Sequence, residues 1–178
     1  MGTTGTDGTY APFFSSVRIS LHDWREADAN GDVGAIAANG GILASDTTPI
    51  MRGASGLITQ EISWAASNSD PIVAQVPLPD DFDGRQDVLL ELIVQSGTTD
   101  AATISVATSW DGGATITDSA DDTATKSATY HKITARIAAA DIPDSANDVT
   151  ILLTPGAHTT NAIQLRATKL KYLPRRIS

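Results

Sequence analysis

The 178-residue sequence contains no cysteine. This excludes disulfides and thiolate metal sites and leaves the redox compartment open. Aromatic residues are scarce, at 5%, and charged residues reach only 19%, which is low for a cytosolic enzyme. No apolar run approaches the roughly 20 residues that a membrane-spanning helix needs, so no membrane partner is expected. The N-terminal MGTTGTDGTYAPFF lacks the basic region and apolar stretch of a secretory signal. Gly2 and Thr6 fit the short myristoylation pattern, but no basic cluster accompanies them. Basic residues are also in the minority: 12 Lys and Arg against 21 Asp and Glu leave a formal charge of -9. Such a surface repels phosphates, so no nucleic-acid partner is expected. The one basic cluster, KLKYLPRR, holds Lys169, Lys171, Arg175 and Arg176 and reads as a solvated or partner-facing tail.

What is present points to strands. An apolar fraction of 41% suffices for the core of one domain of this length. Thr, Ser, Ala, Asp and Gly dominate the rest, and Thr favours strands while Gly and Asp punctuate them. Residues 1–16 read as an extended Gly- and Thr-rich arm ending in aromatics, and residues 17–178 as a single domain. VRISLHDW puts Val17, Ile19 and Leu21 on one side. LITQEISW does the same with Ile58, Gln60, Ile62 and Trp64, PIVAQVPL with Ile72, Ala74, Val76 and Leu78, ATISVATSW with Ile104, Val106, Thr108 and Trp110, and TYHKITARI with His131, Ile133, Ala135 and Ile137. DVLLELIVQS is apolar at nearly every position and reads as a central strand covered on both faces. The last strand changes phase, because Ile163, Leu165 and Ala167 share a side that Leu170 and Tyr172 do not. A bulge or a crossing between sheets near Thr168 is expected there. RIAAADIP predicts one helical turn stopped by Pro143.

Turn clusters separate these runs every ten to fifteen residues or so. The pattern predicts an all-β fold, an antiparallel β-sandwich of about eight strands with jelly-roll connections. Leu90, Leu92, Val106, Ile133, Ile151 and Leu165 are expected in its core.

The candidate chemical motifs resolve into turns. In DANGDVGAIAANGG, residues 28–41, Asp28, Asn30 and Asp32 match the first three ligands of a calcium loop. Val33 occupies the position that requires glycine, and Asn39 replaces the bidentate glutamate. A phosphate-cradling loop would need a lysine and a following helix, both missing. The stretch is expected to be a metal-free connector with turns at ANGD and ANGG. SWDGGAT matches an Asp-box through Ser109, Asp111, Gly113 and Thr115, a hairpin device in which the aspartate closes the turn. His22, His131 and His158 lack a nucleophile elbow, and the carboxylates of DSADD and PDDFDG read as turn residues. The expectation is no enzyme, no catalytic or metal-binding residue and no cofactor.

Taken in order, VRISLHDW, the crossover ending GGILASDTTPI, and ISW followed by PIVAQVPLPDDFDG resemble the small β-sandwich structural proteins of tailed bacteriophages. VLLELIVQSGTTDAATISV, HKITARIAAADIPDSANDVTILLTPGAH and the basic YLPRR are similar in the same way. Several such proteins are jelly-roll capsid decoration, or cement, proteins. The resemblance implies a virion structural protein on the outer capsid surface, assembled in the host cytoplasm, with the major capsid protein as partner. A homotrimer would match the local threefold positions of an icosahedral lattice. The interface residues would be Tyr10, Phe13 and Phe14 of the arm, with Arg175 and Arg176 facing acidic capsid groups. The alternative is a carbohydrate-binding β-sandwich, which would need exposed aromatic platforms. Trp24, Trp64 and Trp110 are the candidates, although Trp64 and Trp110 fall in phase with core positions.

Overall fold

A computed structural model of the chain describes residues 14–27, 43, 49–53, 59–114, 116–120 and 126–175. In chain order the strands are β1 (Ser15–Ile19), β2 (Arg25–Glu26), β3 (Ile50–Gly53), β4 (Gln60–Trp64), β5 (Ile72–Pro77), β6 (Val88–Gln95), β7 (Ile104–Trp110), β8 (Ile116–Ala120), β9 (His131–Ile137), β10 (Asp148–Pro155) and β11 (Ile163–Tyr172). They form an antiparallel β-sandwich with jelly-roll connections. One sheet runs β9–β6–β11, and the far edge of β11 is shared: Ile163 to Leu165 pair with β4, which carries β3, and Thr168 to Tyr172 pair with β1. The other sheet runs β2–β5–β10–β7. Strand β8 joins them, pairing first with β7 and then, through Ser119 and Ala120, with β9. From β4 to β7 and again from β9 to β11, successive strands fall on opposite sheets.

Alternation produces the core. Val88, Leu90, Leu92 and Val94 of β6 face Val149, Ile151 and Leu153 of β10 and Ile104 and Val106 of β7 across one continuous apolar cluster. All six residues expected in the core are buried. So are all three tryptophans, each with its indole N–H bonded: Trp24 to Thr168 Oγ1 at 3.3 Å, Trp64 to the Asp70 carbonyl at 2.9 Å, and Trp110 to Thr108 Oγ1 at 3.2 Å. Burying an indole without an acceptor would strand a donor in apolar surroundings.

The structure departs from the sequence pattern in β1 and β6, and it resolves the phase change expected in β11. Alternation from β1 stops at Ile19, because Ser20 Oγ accepts from the His22 amide and Asp23 Oδ2 accepts from the Ser20 amide. This reciprocal cap turns Leu21–Asp23 into a single 3-10 turn. The phase change in β11 is a bulge between Leu165 and Ala167, with Arg166 as the extra residue. Ile163, Leu165, Thr168, Leu170 and Tyr172 then all point inward. Strand β6 is central but among the described residues is not covered on both faces: Leu89, Glu91, Ile93 and Gln95 are half-buried on the outside. RIAAADIP contains one 3-10 turn, Ala139–Asp141.

Between β7 and β8, Asp111 and Gly112 have φ of 49° and 72°, as a type I′ turn requires, and the Gly113 amide bonds to the Trp110 carbonyl at 2.8 Å. The Asp111 carboxylate does not close this turn; it accepts from the amides of Asn147 and Asp148 and ties the hairpin to β10. The stretch 28–41 lies outside the described residues, as do Tyr10, Phe13, Thr115 and Arg176.

Candidate functional site

The outer face of the β1–β11–β6–β9 sheet gathers most of what the interior cannot hold. Antiparallel register sets its rows. Lys171 lies between Ser16 of β1 and Leu89 of β6, with Arg136 of β9 beyond. In the next row Arg18, Lys169, Glu91 and Thr134 stand side by side. Ala167, Ile93 and Lys132 follow, and then Gln164 beside Gln95. Alternate residues of each strand share a face, so these side chains all point away from the core.

Glu91 is the electrostatic centre. Only 13% of its side chain is exposed, and it meets Lys132 Nζ at 3.1 Å, Lys171 Nζ at 3.3 Å and Lys169 Nζ at 3.6 Å. Partial burial pushes its pKa upward, but hydrogen bonds from Lys132 and Lys171 and their charges prevail and hold it below the ordinary glutamate value. One carboxylate therefore holds three ammonium groups. At one end of the face Asp87 accepts from the Ala139 amide at 2.9 Å and from Arg136 Nε at 2.7 Å. The backbone bond and then the arginine keep its pKa low.

At the other end a second cluster surrounds Glu61, buried at 3% exposure. Arg52 Nε donates to it at 3.0 Å, and the Tyr130 hydroxyl donates to its other oxygen. Burial, and then the hydrogen bond to Glu61, push the Tyr130 phenol up to about 12. The Arg166 guanidinium lies 3.6 Å from the Tyr130 ring centroid, a close cation–π contact. Its Nε and Nη2 atoms are buried and find no hydrogen-bond partner among the described residues.

Shallow depressions run along this face. One of about 450 Å³ is lined by Ser16, Arg18, Glu91, Ile93 and Lys169. It shares Arg18, Ile93 and Ala167 with another of about 520 Å³ that reaches Gln60, His22 and Arg166. A third, of about 380 Å³, is framed by Phe14, Asp87, Leu89 and Arg136. The outer face of the opposite sheet carries fewer charges: Gln75, Ser105, Ala107, Thr150, Leu152 and Thr154 present hydroxyl, amide and methyl groups, with Arg25 and Asp148 beside them.

Of the residues expected at an interface, Phe14 and Arg175 fall within the described part. Phe14 is 43% exposed, and Lys171 Nζ lies 5.0 Å from its ring centroid. Arg175 sits at a separate corner, where its amide donates to the Asp81 carbonyl at 2.6 Å. Lys169 and Lys171 belong to β11, whereas Arg175 lies past its end and lines a different depression with Asp80 and Asn147. Sequence reasoning missed Arg18, Glu91, Lys132, Arg136 and Arg166. The usable signal was a charged residue at every second position of strands whose intervening residues are apolar.

The histidines do not assemble a reactive site. His22 Nε2 meets Gln60 Oε1 at 2.9 Å, His131 Nδ1 meets the Thr129 carbonyl at 3.3 Å, and buried His158 lies between the carbonyls of Gly156 and Ala65. None of these contacts is to a hydroxyl or a carboxylate. Among the described residues, no three His, Asp or Glu are grouped as metal ligands.

No protein-family model and no curated protein sequence matches the chain. Solved structures do. The xylan-binding module CBM15 aligns over 91% of this chain and 99% of its own, with a TM-score of 0.57 and 11% identity. The CBM22-1–GH10 modules of the Clostridium thermocellum xylanase 10B, complexed with xylohexaose, align over 88% of this chain with a TM-score of 0.54 and 14% identity. Xylanase10C from Cellvibrio japonicus, in complex with xylopentaose, gives 88%, 0.53 and 11%. This chain spans 28% of each of those two xylanase chains. The likeness overturns the capsid decoration reading, and with it the major capsid protein as partner and the homotrimer drawn from capsid symmetry. The cadence behind that resemblance is one that any jelly-roll sandwich produces, since it reflects strand length and turn spacing rather than a partner. At these identities the likeness shows the fold, a jelly-roll β-sandwich of the kind these carbohydrate-binding modules share.

Proposed function

We propose that the chain is a non-catalytic carbohydrate-binding module, and that a glycan chain lies across the outer face of the β1–β11–β6–β9 sheet. One observation carries this reading: polar side chains from four adjacent strands point the same way along connected open depressions. Support also comes from the fold, which is like that of a xylan-binding module and of about a quarter of two xylanase chains, one complexed with xylohexaose and one with xylopentaose. Strands lie about 4.8 Å apart, and same-face residues along a strand repeat at about 6.8 Å. Arg18, Lys169, Glu91 and Thr134 therefore form a row of donors and acceptors long enough to meet several sugars. Leu89 and Ile93 supply apolar patches for the C–H faces of the rings.

The test is binding of the purified chain to a panel of neutral and charged polysaccharides, by affinity electrophoresis and calorimetry. At least one class should bind, and Arg18→Ala combined with Lys169→Ala should weaken it about tenfold, or about 1.4 kcal/mol, without lowering the melting temperature. Absence of binding to every polysaccharide, or binding indifferent to these substitutions, refutes the proposal.

A further inference from the structure

Resting on the glycan-binding reading, we infer that the polysaccharide taken by this face is anionic, carrying carboxylate or sulfate groups, and is not a neutral chain. The charge distribution is the main ground. The protein carries -9 overall, yet Arg18, Lys132, Arg136, Arg166, Lys169 and Lys171 share one sheet face with only Asp87 and Glu91 among them. Arg52 and Glu61 at its edge cancel each other. The described part of the face thus holds an excess of four positive charges on an otherwise acidic body. Half of the chain's 12 basic residues have been gathered there by strand pairing. Like charges crowded on one surface repel one another, and an anionic ligand relieves that repulsion.

The central glutamate does not cancel this charge. A single carboxylate stands between three ammonium groups and neutralises only one. The remaining positive charge is left for a ligand, with Glu91 as its internal competitor. At the bulge, Arg166 lines the neighbouring depression and adds its charge to the face.

A neutral glycan would be served differently. Sugar rings without charge are usually held by stacking on broad aromatic surfaces, and here all three tryptophans are buried. Phe14 is the one exposed large apolar side chain among the described residues, and Tyr130 already has Arg166 on its ring. The same shortage argues against single-stranded nucleic acid, whose binding relies on base stacking over aromatic rings. The embedded carboxylates and the acidic remainder of the surface argue against a continuous phosphate backbone.

The experiment measures dissociation constants for a polyuronate, a sulfated glycan, neutral xylan and duplex DNA, each at low and high salt. The inference expects one of the acidic glycans to bind best, with affinity falling as salt rises. Lys169→Gln with Lys171→Gln should weaken that binding at least tenfold while the melting temperature falls by no more than about 4 °C. Glu91→Gln, which removes the competing carboxylate, should tighten it several-fold. The opposite signs separate a charge effect from a folding defect. Preference for neutral xylan with no salt dependence overturns the inference and leaves glycan binding standing. DNA bound as tightly as the acidic glycans makes the face a general polyanion surface and also overturns it. No glycan binding at all removes both readings.

Discussion

Replacing Thr168 by valine removes one hydroxyl and leaves the side-chain shape nearly intact. In the folded protein that hydroxyl has two partners: it accepts from Trp24 Nε1 at 3.3 Å and donates to the Ile19 carbonyl at 3.1 Å. Both Trp24 and Thr168 are buried. Thr168→Val leaves the indole N–H without an acceptor, at about 1–3 kcal/mol for a buried orphan. The Ile19 carbonyl loses less, since it lies in the β1–β11 ladder opposite Thr168. The expected loss is about 2 kcal/mol, or about 4–8 °C in melting temperature for a domain of this size. Urea denaturation followed by tryptophan fluorescence measures it. Thr168→Ser is the control: it keeps the hydroxyl and loses one buried methyl, at about 1 kcal/mol. The reasoning is refuted if the valine variant is as stable as the parent, or if the serine variant is the less stable of the two. The contact also pins β1 to β11, so glycan affinity should fall modestly in the valine variant as Arg18 shifts against Lys169.

Tyr130 should titrate near 12, followed by tyrosinate absorbance. Because its folded pKa lies above the ordinary value of about 10, its contribution to stability is complete below that pH and is lost as pH rises from there towards 12. Glu61→Gln removes the hydrogen-bonded charge and should lower the titration, while burial keeps it above the ordinary value; no change would disprove the coupling. Gly84→Ala should destabilise by about 1–3 kcal/mol, since a Cβ there would stand 2.3 Å from the Pro143 carbonyl oxygen. Gly53→Ala, with nothing within 4 Å of the new atom, should be neutral or slightly stabilising in the same melt.

Local pattern reached far into the fold and stopped short of the site. Period-two alternation sorted Leu90, Leu92, Val106, Ile133, Ile151 and Leu165 inward, and the turn clusters separated the strands, because both signals lie within a few residues of one another. The same alternation shows that Lys169 and Lys171, or Lys132 and Arg136, leave their strands on one side. It does not show that those sides are the same side of the same sheet. The resemblance to capsid proteins had this weakness too, being built on cadence that many sandwiches share.

What the sequence by itself determined is an all-β chain without disulfides, with its core residues and most of its turns. The tertiary structure decided that Glu91, alone in an apolar run, would stand among lysines 41, 78 and 80 positions away. It also decided that Trp24 would find its acceptor 144 residues along the chain, and that the extra residue of the bulge would be Arg166. Alternation is a property of one strand and can be read from it. The pairing of strands depends on which distant surfaces bury the most apolar area together, and only the folded chain makes that choice.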